Sequence, residues 1–496
     1  MRCAMQAFGR IASVASVAAA LATCVWPCAA AGQDEGGSLE ERAIRAFSAG
    51  DYETAEAALR RQLEEDPGNF VAMYNLACVR AMRGDTAEAG EMLIRAVEHG
   101  FADVRQLTHD PHLAPLRGDP RYLALVNRWD DILERRAGAD LERARERFGG
   151  GYLYERDGRL RLLFASGFTP ETTSQCRTEI ERIYDWAMAE VFGETHDELA
   201  GAEDVWVLVA LPTRRDFERW AVETYGPAAR GYTQGIGGHY NHDTKQLVTG
   251  DLGASLRHEF MHVLHWRSAA RLGQIHPVWV QEGLCSLIED YDAGPDGRPV
   301  PAPSWRTNQA RFLAEAGKLL KVRDLVSVPR ERFTGTRPLA YYGQARALFL
   351  FLHSRGRLAA WYGHFTEHFR EDPTGLASLE AALEMSAEEI DAEYRHWLLS
   401  LPNVPEEVRV GSASLGVQID ATGTGEGLMI SAFVPRSAAG GLRIGDVITH
   451  VDGRAVRDYY ELVRVLATCS PGQTVEVGYR RGRLHGTTEV TLKRAE

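Results

Sequence analysis

The decapeptide RHEFMHVLHW, residues 257–266, carries two histidines four apart, His258 and His262, with Glu259 directly after the first. On a helix, residues four apart lie one turn above one another on the same face, so both imidazoles can converge on one ion. Glu259 is offset by about 100°. It is too far round to act as a third short ligand, but it is placed to take a proton from a water held at that ion. Leu256, Phe260, Val263 and Leu264 give the helix an apolar remainder for burial, and dry surroundings strengthen the field of a bound cation. The chemistry offered is metal-assisted hydrolysis with a carboxylate base. The alternative is an ordinary helix with two hydrogen-bonded histidines.

The stretch HPVWVQEGLCSLIED at 276–290 favours the metal. Pro277 suits a helix start and puts Glu282 on the first turns. The nineteen residues between His262 and Glu282 leave room for a loop and a second helix packed beside the first. Its carboxylate would complete a three-ligand site with one open position. HEFMH followed by WVQEG resembles the gluzincin metallopeptidases of peptidase clan MA, a likeness in chain order that covers about residues 150–402.

That resemblance implies one Zn²⁺ per chain on His258, His262 and Glu282, with Glu259 as general base. It also implies a tyrosine that donates to the developing oxyanion. The segment AYYGQARALFLFL, 340–352, offers Tyr341 and Tyr342, and the Y-x-Q-A spacing favours Tyr342. In gluzincins the substrate lies as an added strand before the metal helix, here 238–249. Aminopeptidases of the clan carry G-x-M-E-N there, whose glutamate grips the α-amine. This chain has GGHYN at 237–241, without a glutamate, which points to internal cleavage. A zincin domain followed by a PDZ domain also resembles the glycyl-aminopeptidases, so an aminopeptidase stays open. Among neighbouring residues, Glu289 is a candidate to orient a ligand histidine. His265 and Cys285 read as structural, and His239 and His242 as exposed.

Around this centre the chain divides. Ala43, Gly50, Asp51, Ala55 and Leu59 recur thirty-four residues later as Ala77, Gly84, Asp85, Ala89 and Leu93. That period and the small residues at fixed positions resemble tetratricopeptide (TPR) repeats. The segment 101–126 reads as a helical end-cap. A charged helix near 131–148 precedes strands at 160–166 and 204–211, with a helix around 175–192 between them. After PNVPEEV (402–408), the string GL-x-x-GD-x-I-x-x-VDG-x-x-V resembles a bacterial PDZ domain. The family implies that a loop at Ser414, Leu415, Gly416 and Val417 receives a peptide carboxylate, the peptide adding as a strand beside Gln418–Ile419.

The expected fold class is multidomain: α-helical TPR hairpins (38–130), an α+β zincin-like metallopeptidase core (150–402) and a small β-rich PDZ domain (410–494). Residues 1–31, basic at Arg2 and Arg10 and then apolar to an A-x-A-like end, read as a signal peptide cut near Ala31. An uncleaved anchor is the alternative. The expected location is therefore periplasmic or secreted. A formal charge of −13 over 496 residues argues against nucleic acid as a partner, and no later stretch approaches a membrane span. Four cysteines remain beyond residue 31, widely spaced, and read as small buried thiols. The function expected is an exported zinc endopeptidase whose TPR and PDZ modules gather a peptide, an unfolded protein or a partner protein. The competing class is a non-catalytic TPR–PDZ scaffold with a vestigial peptidase core.

Overall fold

The computed structural model describes residues 38–193, 205–227, 229–233, 236–242, 244–335, 337–420, 424–434 and 440–495. The expected signal peptide lies outside the described residues. The chain is multidomain, with a helical repeat region, a mixed helix–sheet middle and a β-rich C-terminal domain.

Four helices open the structure: α1 (Leu39–Ser48), α2 (Tyr52–Glu65), α3 (Phe70–Met82) and α4 (Thr86–His99). The repeated residues do what their types allow. Ala43, Ala55, Leu59, Ala77, Ala89 and Leu93 are all buried between helices. Gly50 and Gly84 turn the chain at φ +75° and +89°, a region that a Cβ disfavours. Asp51 caps α2 by accepting the Thr54 N–H, 3.0 Å. The end-cap follows as α5 (Val104–His109), a 3₁₀ turn at Pro111–Leu116 and α6 (Pro120–Asn127). Leu107, Leu113 and Leu116 close the hydrophobic stack.

The charged helix is α7 (Trp129–Phe148). Its Ala137, Leu141 and Ala144 pack on one face of the central sheet. That sheet contains β1 (Leu153–Asp157), β2 (Leu162–Ser166), β3 (Trp206–Ala210), β4 (Gly238–Asn241) and β5 (Gln246–Thr249), in spatial order β1-β2-β3-β5-β4. Strands β2, β3 and β5 run parallel, while β1 and β4 are antiparallel edges. The crossovers use α8 (Pro170–Ala187) and α9 (Arg214–Tyr225). LLFAS and WVLVA are buried along their whole length, as strands covered on both faces must be.

Strand β5 leads into α10 (Ala254–Arg271), whose start is capped by Asp251 accepting from Gly253 and Ser255. Leu256, Phe260, Val263 and Leu264 are fully buried, each worth about 1.5–3 kcal/mol, and they fix the helix on the sheet. Next come α11 (Val278–Leu287), the short pair β6 (Tyr291–Ala293) and β7 (Pro299–Pro301), α12 (Trp305–Glu315) and α13 (Pro338–Ser354). Further helices extend to Ser400. The segment after them is strapped to α12, where Asn308 pairs with the Val404 main chain at 2.8 and 3.0 Å.

The C-terminal domain has β8 (Val417–Asp420), β9 (Leu428–Phe433), β10 (Val447–Val451), α14 (Tyr459–Ala467), β11 (Thr474–Arg481) and β12 (Leu484–Thr491). The sheet order is β12-β11-β10-β9-β8, leaving β8 at an edge.

Candidate metal centre

Helix α10 presents His258 and His262 on one face, and α11 brings Glu282 across to them. His258 Nε2 and His262 Nε2 stand 3.1 Å apart. Glu282 Oε2 is 3.4 Å from the first and 3.7 Å from the second. Ligands about 2.0–2.1 Å from a tetrahedral zinc stand about 3.3 Å from one another, so the triangle has the size that ion requires. Among the described residues these three form the cluster of metal-binding type. The close approach of α11 to its neighbour α13 depends on Gly283, where a Cβ would lie 2.8 Å from the Phe349 ring. That contact explains why glycine follows Glu282.

The surroundings are rich in carboxylate. Glu289 accepts a hydrogen bond from His258 Nδ1 at 2.8 Å. A carboxylate can only accept, so the Nδ1 position carries a proton and Nε2 is the nitrogen turned to the centre. Arg306 in turn grips Glu289 with Nε and Nη2 at 2.5 and 2.9 Å. Burial works to raise Glu289, but Arg306 and His258 outweigh it and bring the carboxyl down to about 2. Burial disfavours charge on His258, yet its bonds to Glu282 and Glu289 prevail and push it up to about 10. Glu282 is desolvated too, but His262 and His258 hold it well below the usual carboxylate range. Two imidazoles with one carboxylate are a donor set that zinc fits.

Glu259 lies beside this triangle under strand β4. Burial raises its carboxyl above the ordinary value, opposed by His258 and His262 and reinforced by Glu282 and Glu289. Tyr240 of β4 stacks on the His262 ring at 5.0 Å and 19°. The Tyr342 ring is half-buried beside Phe333 at 5.3 Å, with the Arg306 guanidinium 5.6 Å from its centroid. Tyr341 points elsewhere, its hydroxyl accepting from Arg332 Nε at 2.9 Å.

Other residues singled out from sequence take structural places. His265 turns to His276, sharing a hydrogen bond of 2.7 Å, and burial pushes it down to about 3. Cys285 is fully buried. Cys78 and Cys176 are buried and in no disulfide, and Cys469 is half-buried. His239 and His242 differ from expectation. Both are half-buried, His239 bonded to the Tyr225 hydroxyl at 2.7 Å and His242 stacked 4.2 Å from Trp266. Aromatic neighbours distant in sequence cover them.

In the C-terminal domain Leu415 is buried in the core. Gly416 (φ +69°) donates its N–H to Ser414 Oγ at 3.1 Å. Val417 begins the edge strand and pairs with Phe433. The loop is thus partly committed internally, and β8 is the last strand in the sheet order. Arg257, Arg306 and Tyr240 were not singled out from sequence. Arg257 and Arg306 are bound into this region by partners between 17 and 204 positions away, and no local pattern marks such contacts.

Residues 413–492 match the PDZ domain family model, and residues 46–108 match a tetratricopeptide repeat model. No curated protein matches the chain. Among solved structures, the chain is similar to the HtrA-type protease AlgW with decapeptide, at 21% identity over 22% of this chain and 35% of that one, TM-score 0.16. A serine endoprotease from Yersinia pestis is similar at 19% identity over 22% and 36%, TM-score 0.16. An aminopeptidase N family protein from Idiomarina loihiensis shares 14% identity over 70% of this chain and 68% of its own, TM-score 0.28. The chain spans about a third of the length of the first HtrA-type structures it matches.

Proposed function

We propose that this chain is an exported zinc-dependent endopeptidase, with TPR and PDZ modules that recruit peptide, unfolded protein or partner proteins. One observation carries the reading: the triangle of His258 Nε2, His262 Nε2 and Glu282 Oε2, with sides of 3.1, 3.4 and 3.7 Å. Zinc held there would polarise a substrate carbonyl and lower the pKa of a bound water towards about 7. The chain's own residues do the rest. Glu259, raised by burial and coupled to both histidines, accepts the proton of the attacking water and passes it to the leaving amine. The Tyr342 hydroxyl donates to the oxyanion. Glu289 and Arg306 keep Nε2 of His258 aimed inward.

The outer edge of β4, the last strand in the sheet order, takes the substrate as an added strand. None of its residues, Gly238, His239, Tyr240 and Asn241, is acidic, so the strand brings no carboxylate to a free α-amine, which favours internal cleavage over an aminopeptidase. The PDZ and TPR domains are protein-interaction modules, and holding a substrate near the centre raises its effective concentration. Among the described residues no helix is long and apolar enough to cross a membrane. Export rests on the character of residues 1–31 alone. The test is metal analysis of the purified chain together with digestion of a peptide library, with and without chelator. About one zinc per chain and chelator-sensitive internal cuts support the reading. Absence of zinc would leave the scaffold alternative in its place.

A further inference from the structure

The PDZ domain meets the core directly behind the ligand triangle. Arg257, immediately before His258, has a side chain only 3% exposed and shares its guanidinium three ways. Nη1 donates to Glu179 of α8 at 2.9 Å. Nη2 donates to Glu461 of the PDZ helix α14 at 2.6 Å. Nε and Nη2 both donate to the main-chain carbonyl of Glu289, at 3.0 and 2.7 Å. The side chain of that same Glu289 holds His258 Nδ1.

Two more contacts from α14 reach the same region. Arg464 lies 2.8 Å from Asp292 and 3.5 Å from Asp290. Tyr460 stacks on Trp305 at 5.9 Å and 22°, and the next residue, Arg306, grips the Glu289 carboxylate. Arg464 lies one turn from both Tyr460 (i,i+4) and Glu461 (i,i+3), so it neighbours each of them on the helix surface. All three contacts therefore bear on Glu289 or its immediate surroundings. Truncating one partner of such a buried pair leaves the other charge to find a new balance. Here the charge left over is Arg257, which also fixes the Glu289 main chain.

We propose that the PDZ domain is a structural part of the metal site. Glu461 is a positioning residue for His258, acting through Arg257 and Glu289, and Arg464 supports the same segment through Asp290 and Asp292. The proposal rests on the reading of His258, His262 and Glu282 as a zinc centre.

The test uses the full chain with Glu461→Gln, which keeps the side-chain shape and removes the charge. A second variant is Arg464→Met, at a position 17% exposed on the interface rim and therefore tolerant of change. Zinc affinity is read by chelator competition, ligand geometry by the visible absorption of the cobalt-substituted protein, and folding by circular dichroism. The expected result is a loss of zinc affinity of about tenfold or more with an altered cobalt spectrum in both variants, their secondary structure intact. Wild-type affinity and an unchanged cobalt spectrum in either folded variant would show that the interface is only adhesive and would overturn the proposal. Failure of the wild-type chain itself to bind zinc or cobalt would instead defeat the metal-centre reading, and the proposal with it.

Discussion

The main chain of Gly238 passes so close to Glu259 that a Cβ at that glycine would lie 2.5 Å from Glu259 Cγ. Real Cβ atoms do not tolerate that separation, and the Cγ, next to the helix backbone, cannot swing away as the far end of the side chain could. Gly238→Ala should therefore push Glu259 off its position without touching the ligand set. The expected outcome is a fall in kcat/KM on a cleavable peptide with zinc content unchanged. Loss of zinc in this variant would mean that β4 supports the ligands themselves.

Glu289 is bound on one side by His258 and on the other by Arg306. Glu289→Ala removes the acceptor that sets the His258 tautomer, and zinc affinity should fall about 10–100-fold. Chelator competition on the folded variant measures this directly. An unchanged affinity would show that the orientation of His258 is fixed by packing alone.

The two adjacent tyrosines separate a catalytic from a structural hydroxyl. Tyr342→Phe should lower kcat by about 10²–10³ with little change in KM. Tyr341→Phe removes only the bond from Arg332, costing about 1 kcal/mol of stability and leaving turnover near wild type. A reversed pattern in steady-state kinetics would assign the oxyanion donor to Tyr341.

Arg346 of α13 is fully buried and donates to the carbonyls of Ser286 at 2.8 Å and Ala302 at 2.7 Å. It holds the end of α11 and the β7 exit against α13. Arg346→Met leaves those acceptors without this partner and should destabilise the core by roughly 3–5 kcal/mol. Urea denaturation of the two proteins checks it, and a shift under about 1 kcal/mol would count against the assignment.

What could be read from sequence follows the range of the physics involved. Helical period alone puts His258 and His262 on one face. Glu282 required the likeness to a known ligand order as well, because a loop separates it from the first helix. The repeat residues were legible because the same small side chains recur at the same helix positions. Helix α7 was legible as a charged helix near 131–148, but its packing on the sheet was not, because its buried Ala137, Leu141 and Ala144 are sparse and small among charged neighbours. The edge strand β1 carries Glu155, Arg156 and Asp157, and the mixed run LMISAF of β9 lacks a clear alternation. Neither strand stands out before its partner is known. The docking of Glu461 on Arg257 joins residues 204 positions apart. Such a contact belongs to tertiary packing and leaves no local periodicity to read.

The measurement that bears most directly on the central claim is a comparison of Glu259→Gln with the wild-type chain, for both zinc content and hydrolysis of an unfolded protein. Glutamine keeps the size of the side chain and cannot accept the proton. The account predicts about one zinc in each protein and cleavage only by the wild type. Equal cleavage by the variant, or zinc in neither protein, would contradict it.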